Sequence, residues 1–228
     1  MLPIDPIVQY ATQHLGGRPV PDDLRKLLEA QWGDAATGRS NPLKHAGVEF
    51  IEGDRMPRLV AAECAGRDDL EAARRLAYAQ AMRDMVRYSG FVAQDAAGEA
   101  IGYWFSPDRI PIEAAPPLLF DTNNHFCLLC GNSIAEAILV IASQGNNQTF
   151  SELRDYLNEL GVRIAARTVQ EVQRRHCPLP PQTTFEQLIQ AYSADLSTTS
   201  MSGIGGPVNI MSIHRASSQT PIGKGNIS

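Results

Sequence analysis

The residues with the clearest chemical potential are His125-Phe-Cys127-Leu-Leu-Cys130. A Cys-x-x-Cys pair can hold zinc or exchange disulfides, and both tasks need the thiols to converge. Read as a strand, this segment gives Cys127 and Cys130 opposite parity, so the two thiols point to opposite sides of a sheet. A redox pair also belongs at a helix N-terminus, and only Cys130 is near an expected one. The pair is therefore expected to be inert, packed thiols, with no metal and no cofactor. An enzyme using thiol or zinc chemistry at these two cysteines is the alternative, separable by a metal assay and a thiol titration.

No other catalytic set gathers in the sequence. His14, His45, His125, His176 and His214 are scattered, without a His-Glu-x-x-His or Cys/His ligand spacing. Gly203-Ile-Gly-Gly206 lacks the preceding strand and following helix of a dinucleotide fingerprint. No Walker-type loop and no Gly-x-Ser-x-Gly elbow occur. No catalytic residue is assigned.

Binding candidates are better defined. Ile101, Tyr103 and Phe105 alternate with Ala100, Gly102 and Trp104, a period of two that reads as a strand with two unlike faces. Tyr103 shares the more apolar parity and is placed in the core. Trp104 then has two readings: core packing, or an anchor for a partner, since Trp is enriched at interface hot spots. Glu99, Asp108 and Asp121 are candidate steering charges beside the sheet. Asp121, Asn123, Asn124 and His125 form a polar tip, read first as a hairpin turn and second as part of a contact surface.

The elements that must position these residues follow from local pattern. Leu118-Leu-Phe120 reads as a short buried strand, and His125 to Cys130 folds back beside it as a hairpin. Ser133 with Glu136 matches a capping box, and Ile134, Ile138 and Ile141 then give a helix with one aliphatic stripe for the sheet. Upstream, Pro21-Asp-Asp opens a helix with Leu24, Leu27 and Leu28 inward and Gly33 as its stop. Arg67-Asp-Asp opens what reads as the longest helix, with a narrow Ala-rich face. Phe91 to Gln94 reads as a strand, and 95–98 as a hairpin turn. Downstream, Thr149 with Glu152 reads as a second capping box. Thr168 to Arg175 reads as a short helix, and Thr184 as the cap of a last helix with Phe185, Leu188, Ile189 and Tyr192 inside.

This order of elements resembles the SUKH superfamily. The likeness rests on Gly102-Tyr-Trp104 in a strand, a Pro-containing loop, Leu118-Leu-Phe-Asp121, the hairpin, and Ser133-Ile-Ala-Glu-Ala-Ile138, with Val20-Pro-Asp-Asp-Leu-Arg-Lys-Leu-Leu28 as an opening Pro-acidic helix. It covers roughly residues 20–142, with an unmatched middle. Gln31-Trp-Gly-Asp34 departs from a common Asn-Gly-Gly, and Asp121-Thr-Asn-Asn124 from a common Gly-rich turn. The resemblance implies an α+β fold, an antiparallel or mixed sheet backed by helices. It also implies an immunity protein that binds and neutralises a bacterial toxin without turnover, in the cytoplasm. A regulatory scaffold of the same fold is the alternative within the family.

Composition bounds these expectations. The 228 residues are 43% hydrophobic and 20% charged with a net charge of −5, which argues against a general nucleic-acid binder and is compatible with a basic partner such as a nuclease-type toxin. No apolar run approaches a membrane span and no secretory signal is visible, so neither membrane nor export is expected. The expected division is 1–145 as the α+β domain, 149–196 as a helical appendage, and 197–228 as a tail too rich in Ser, Thr, Gly and Asn to hold fixed structure.

Overall fold

The computed structural model describes residues 5–65 and 70–201. Five strands form one antiparallel sheet in sequence order: β1 (Val48–Phe50), β2 (Ser89–Asp95), β3 (Ala100–Trp104), β4 (Pro117–Phe120) and β5 (Phe126–Leu128). The fold is α+β, as expected. Every strand pairs with its chain neighbour, so short turns suffice between β2 and β3 and between β4 and β5.

Alternation along β3 assigns the faces. Ile101 and Tyr103, with Phe105 beyond the strand, enter one buried cluster. Ala100 and Trp104 enter a second, on the opposite face. In β2 a bulge lies between Phe91 and Ala93. Phe91 opposes Gly102 on the second face, whereas Val92 and Ala93 both join the first cluster, the two-against-one count a bulge permits.

Helices cover both faces. The first carries α1 (Pro6–His14), α2 (Asp22–Thr37), α3 (Pro42–His45), α6 (Ile134–Ser143) and α7 (Asn147–Glu159). The second carries α4 (Arg58–Ala65), α5 (Ala72–Arg87) and α8 (Pro181–Met201). The expected sheet backed by helices is present, with helices on both of its faces. The helices expected as an appendage packed on the sheet domain contribute to both cores. Phe150, Leu153 and Leu157 of α7 share a core with Ile101, and Phe185 of α8 shares one with Trp104. Phe185 meets Phe126 edge-on at 5.1 Å and Tyr78 at 5.3 Å, so α8 is the lid of the second core. The Tyr192 hydroxyl donates to the Asp84 carboxylate, which fastens α8 to α5.

Several local signals stand and several shift. Ser133 caps α6 by accepting the Glu136 N–H at 3.2 Å, while the Glu136 carboxylate accepts the Asn132 N–H at 2.7 Å, one residue earlier than the usual box. The second expected box does not form. Asn146 caps α7 instead, accepting the N–H groups of Gln148 and Thr149, because its short amide already stands at the helix entry. Gly33 does not stop α2; nothing crowds it, and the helix ends a turn later at the left-handed Gly38. Leu59 to Cys64, unassigned from sequence, lies in α4, and α8 with its 21 residues is longer than α5 with 16. The segment from Thr168 holds only a 3-10 turn at Val169–Glu171, followed by an isolated bridge at Arg174. The start expected for the long helix at Arg67 lies outside the described residues. So does the expected tail beyond Met201; its first residues, 197–201, continue α8.

Candidate functional site

The antiparallel sheet has two ends of opposite character. At one end lie the β2–β3 and β4–β5 turns. Asp95 accepts the N–H groups of Ala97 and Glu99, each at 2.9 Å, and so shapes the first turn. Asp121 accepts those of Asn123 and His125, also at 2.9 Å, and shapes the second, where Asn124 takes the left-handed conformation at φ 65°. Glu99 links the two turns by accepting from the backbone N–H and the hydroxyl of Thr122, both at 3.2 Å. His125 approaches the Asp121 carboxylate at 3.7 Å. Glu99, Asp121, Asn123, Asn124 and His125 are thus brought together, and Asp95 joins them without having been singled out in sequence. No Lys or Arg forms an ion pair with Asp95, Glu99 or Asp121 among the described residues.

The remaining two predicted residues go elsewhere. Asp108 is exposed at the opposite end of the sheet, in the loop after β3. Trp104 is fully buried. Its indole N–H donates to the Leu179 carbonyl at 2.9 Å, and Tyr88 packs edge-on at 6.3 Å. The partner-anchor reading of Trp104 is therefore corrected to a core role. The reason is non-local: the chain just before α8 returns to cover the second face of β3.

The cysteine pair is separated by the end of a strand. Cys127 lies in β5 and is exposed, whereas β5 stops at Leu128 and Cys130 sits beyond it, bridged to Arg174. Leu129 and Cys130 both pack on the first core, so alternation does not extend across the pair as expected. Burial, then the neighbouring Asp121 carboxylate, pushes the Cys127 thiol up, away from a reactive thiolate. Among the described residues no group of three or more His, Cys, Asp or Glu could hold a metal ion. Cys127→Ser with Cys130→Ser is expected to leave partner binding unchanged, with at most a small loss in melting temperature. Stoichiometric zinc in the purified protein that disappears in the double variant would contradict this.

At the other end of the sheet is a cleft of about 680 Å³ that sequence reasoning did not find. Arg18, Arg55, Arg87 and Arg109 line it, with Asp54 as the one acidic residue. The four arginines come from four separate segments, so no spacing rule could have joined them. The only local hint was Gly16-Gly17, which ends α1 with both residues at positive φ and turns the chain toward Arg18.

Comparison with protein-family models, with curated proteins and with solved structures returned no match. Among the described residues no helix is long and apolar enough to cross a membrane.

Proposed function

We propose that this chain is a SUKH-type immunity protein that neutralises a cognate toxin by occluding its working surface, without turnover, and that the acidic end of the sheet is its docking face. The observation that carries this reading is the gathering of Asp95, Glu99 and Asp121 on two linked turns, with no Lys or Arg ion-paired to them among the described residues. Three carboxylates on rigid turns at one edge are suited to steering a basic protein surface, because they present negative charge without first having to be ordered. The family resemblance supports the same reading from another side. Its residues form β3, β4, β5 and α6, the sheet and closing helix that hold these turns in place. The partner expected is a basic, nuclease-type toxin; nucleic acid itself is not expected at this acidic end.

The test is a capture experiment with the product of the adjacent upstream gene, followed by kinetics on Asp95→Asn/Glu99→Gln/Asp121→Asn. Each replacement keeps the acceptor oxygen used by the turn while removing the charge. Association at low salt should slow by roughly tenfold and lose much of its salt dependence, with the melting temperature nearly unchanged. A stable triple variant that associates at the wild-type rate would refute the docking face.

A further inference from the structure

The arginine cleft holds a surplus of positive charge that the protein does not neutralise, in a chain whose net charge is −5. Arg18 extends from the Gly16-Gly17 turn. Its guanidinium lies 3.8 Å over the Phe105 ring and donates to the Leu15 carbonyl at 3.1 Å, so its position is fixed by stacking and by backbone. Arg87 is tethered to the buried Asp84 at 3.3 Å. The side chains of Arg55 and Arg109 have no hydrogen-bond or ion-pair partner among the described residues. Arg109 is held in the left-handed conformation at φ 53° by a tight loop in which its N–H donates to the Ser106 carbonyl at 3.0 Å.

Two further observations point to a ligand. The Arg18 guanidinium is destabilised first by burial and then by Arg109, a like charge lining the same cleft. At the cleft wall, Ser89 is only 8% exposed, and its hydroxyl oxygen is buried with no hydrogen-bond partner. A buried hydroxyl without a partner is costly and uncommon. Asp54 opposes anion binding, but with Arg87 paired to Asp84 it is one carboxylate against the three guanidinium groups of Arg18, Arg55 and Arg109.

The geometry points to a binding site for a phosphorylated small molecule, its phosphate held by Arg18, Arg55 and Arg109, with the Ser89 hydroxyl, closed off from the cleft in the free protein, turning toward it as a further partner. A guanidinium fork pairs with carboxylate and phosphate alike, but the larger charge and additional oxygens of a phosphate let several forks bind it at once, which favours phosphate over a single carboxylate. The cleft volume suits a ligand of nucleotide size, and Met56, Pro57 and Val86 give it an apolar wall for the part that carries the phosphate. The site lies at the opposite end of the sheet from the proposed docking face and does not depend on that reading.

Calorimetric titration of the full chain with inorganic phosphate, pyrophosphate, a nucleoside diphosphate and citrate tests it. Pyrophosphate and the nucleoside diphosphate should bind more tightly than phosphate, and all three more tightly than citrate. Arg55→Gln/Arg109→Gln should weaken their binding by at least roughly tenfold, the scale of losing one charge-assisted hydrogen bond. Because neither side chain has an internal partner, the double variant should melt as wild type. Ser89→Ala should melt no lower than wild type and still bind several-fold more weakly. Arg163→Gln, an exposed arginine that does not line the cleft, should bind as wild type. No heat with any phosphate compound at millimolar concentration, or equal affinity in the Arg55/Arg109 variant, would overturn the site. Binding of single-stranded RNA without any response to the small phosphates would also overturn it.

Discussion

Trp104→Ala is expected to cost about 3–5 kcal/mol of folding stability, the range for deleting a large buried aromatic. The side chain is fully enclosed, so truncation leaves a cavity that the other members of the second core can fill only by moving. It also strips the Leu179 carbonyl of its indole donor and so loosens the chain that leads into α8. Urea denaturation of wild type and variant would measure the difference. If the variant keeps wild-type stability and loses partner binding instead, Trp104 is an interface residue after all and the core assignment is wrong.

Gly102→Ala is expected to be nearly as damaging for a different reason. A Cβ built at this position would lie 2.3 Å from the Gly90 carbonyl oxygen and 2.8 Å from the Phe91 Cα. Both are backbone atoms of the neighbouring strand, beside the β2 bulge, and neither can swing aside as a side-chain end could. One methyl group must therefore push β2 away from β3 at the centre of the sheet. A loss of about 3 kcal/mol or more is expected, at the upper end for overpacking, with a fall in melting temperature of roughly 10 °C. Gly98→Ala is the useful contrast, because a Cβ there meets nothing within 4 Å and only its positive φ of 85° opposes the change. Equal melting temperatures for Gly102→Ala and wild type would show that the two strands are not packed this closely.

What could be read from sequence was set by how local each decision is. The parity of Tyr103 with Ile101 and Phe105 depends only on the pleat, and Tyr103 is indeed on the first core. The hairpin at Asp121 depends on side chains that bond their own backbone within four residues, and Asp121 does so twice. The Ser133 cap is equally local. Trp104 was ambiguous because its surroundings are decided 75 residues downstream, where Leu179 and then α8 return over the sheet. The same distance hid the integration of α7 and α8, since a polar loop at 143–148 reads as a boundary whether or not the next helix docks. The arginine cleft was invisible for the same reason: residues 18, 55, 87 and 109 become neighbours only when the sheet has formed.

The sheet thus separates two kinds of charge. Asp95, Glu99 and Asp121 occupy one end, and the four arginines of the cleft the other. Acidic turns on a rigid scaffold, rather than an exposed aromatic anchor, become the feature on which recognition of a basic protein would rest. With Trp104 inside, a hot spot for tight binding must be sought among residues flanking those turns; exposed Asn123 and His125 are the nearest.

Amide hydrogen exchange on the complex with the product of the adjacent upstream gene tests the docking face most directly. Exchange should slow at residues 95–99 and 121–125 when the partner binds, while the amides lining the arginine cleft, 16–18, 54–56 and 109, exchange at their free rate. Slowing confined to the arginine cleft, with residues 95–99 and 121–125 unchanged, would contradict the proposal.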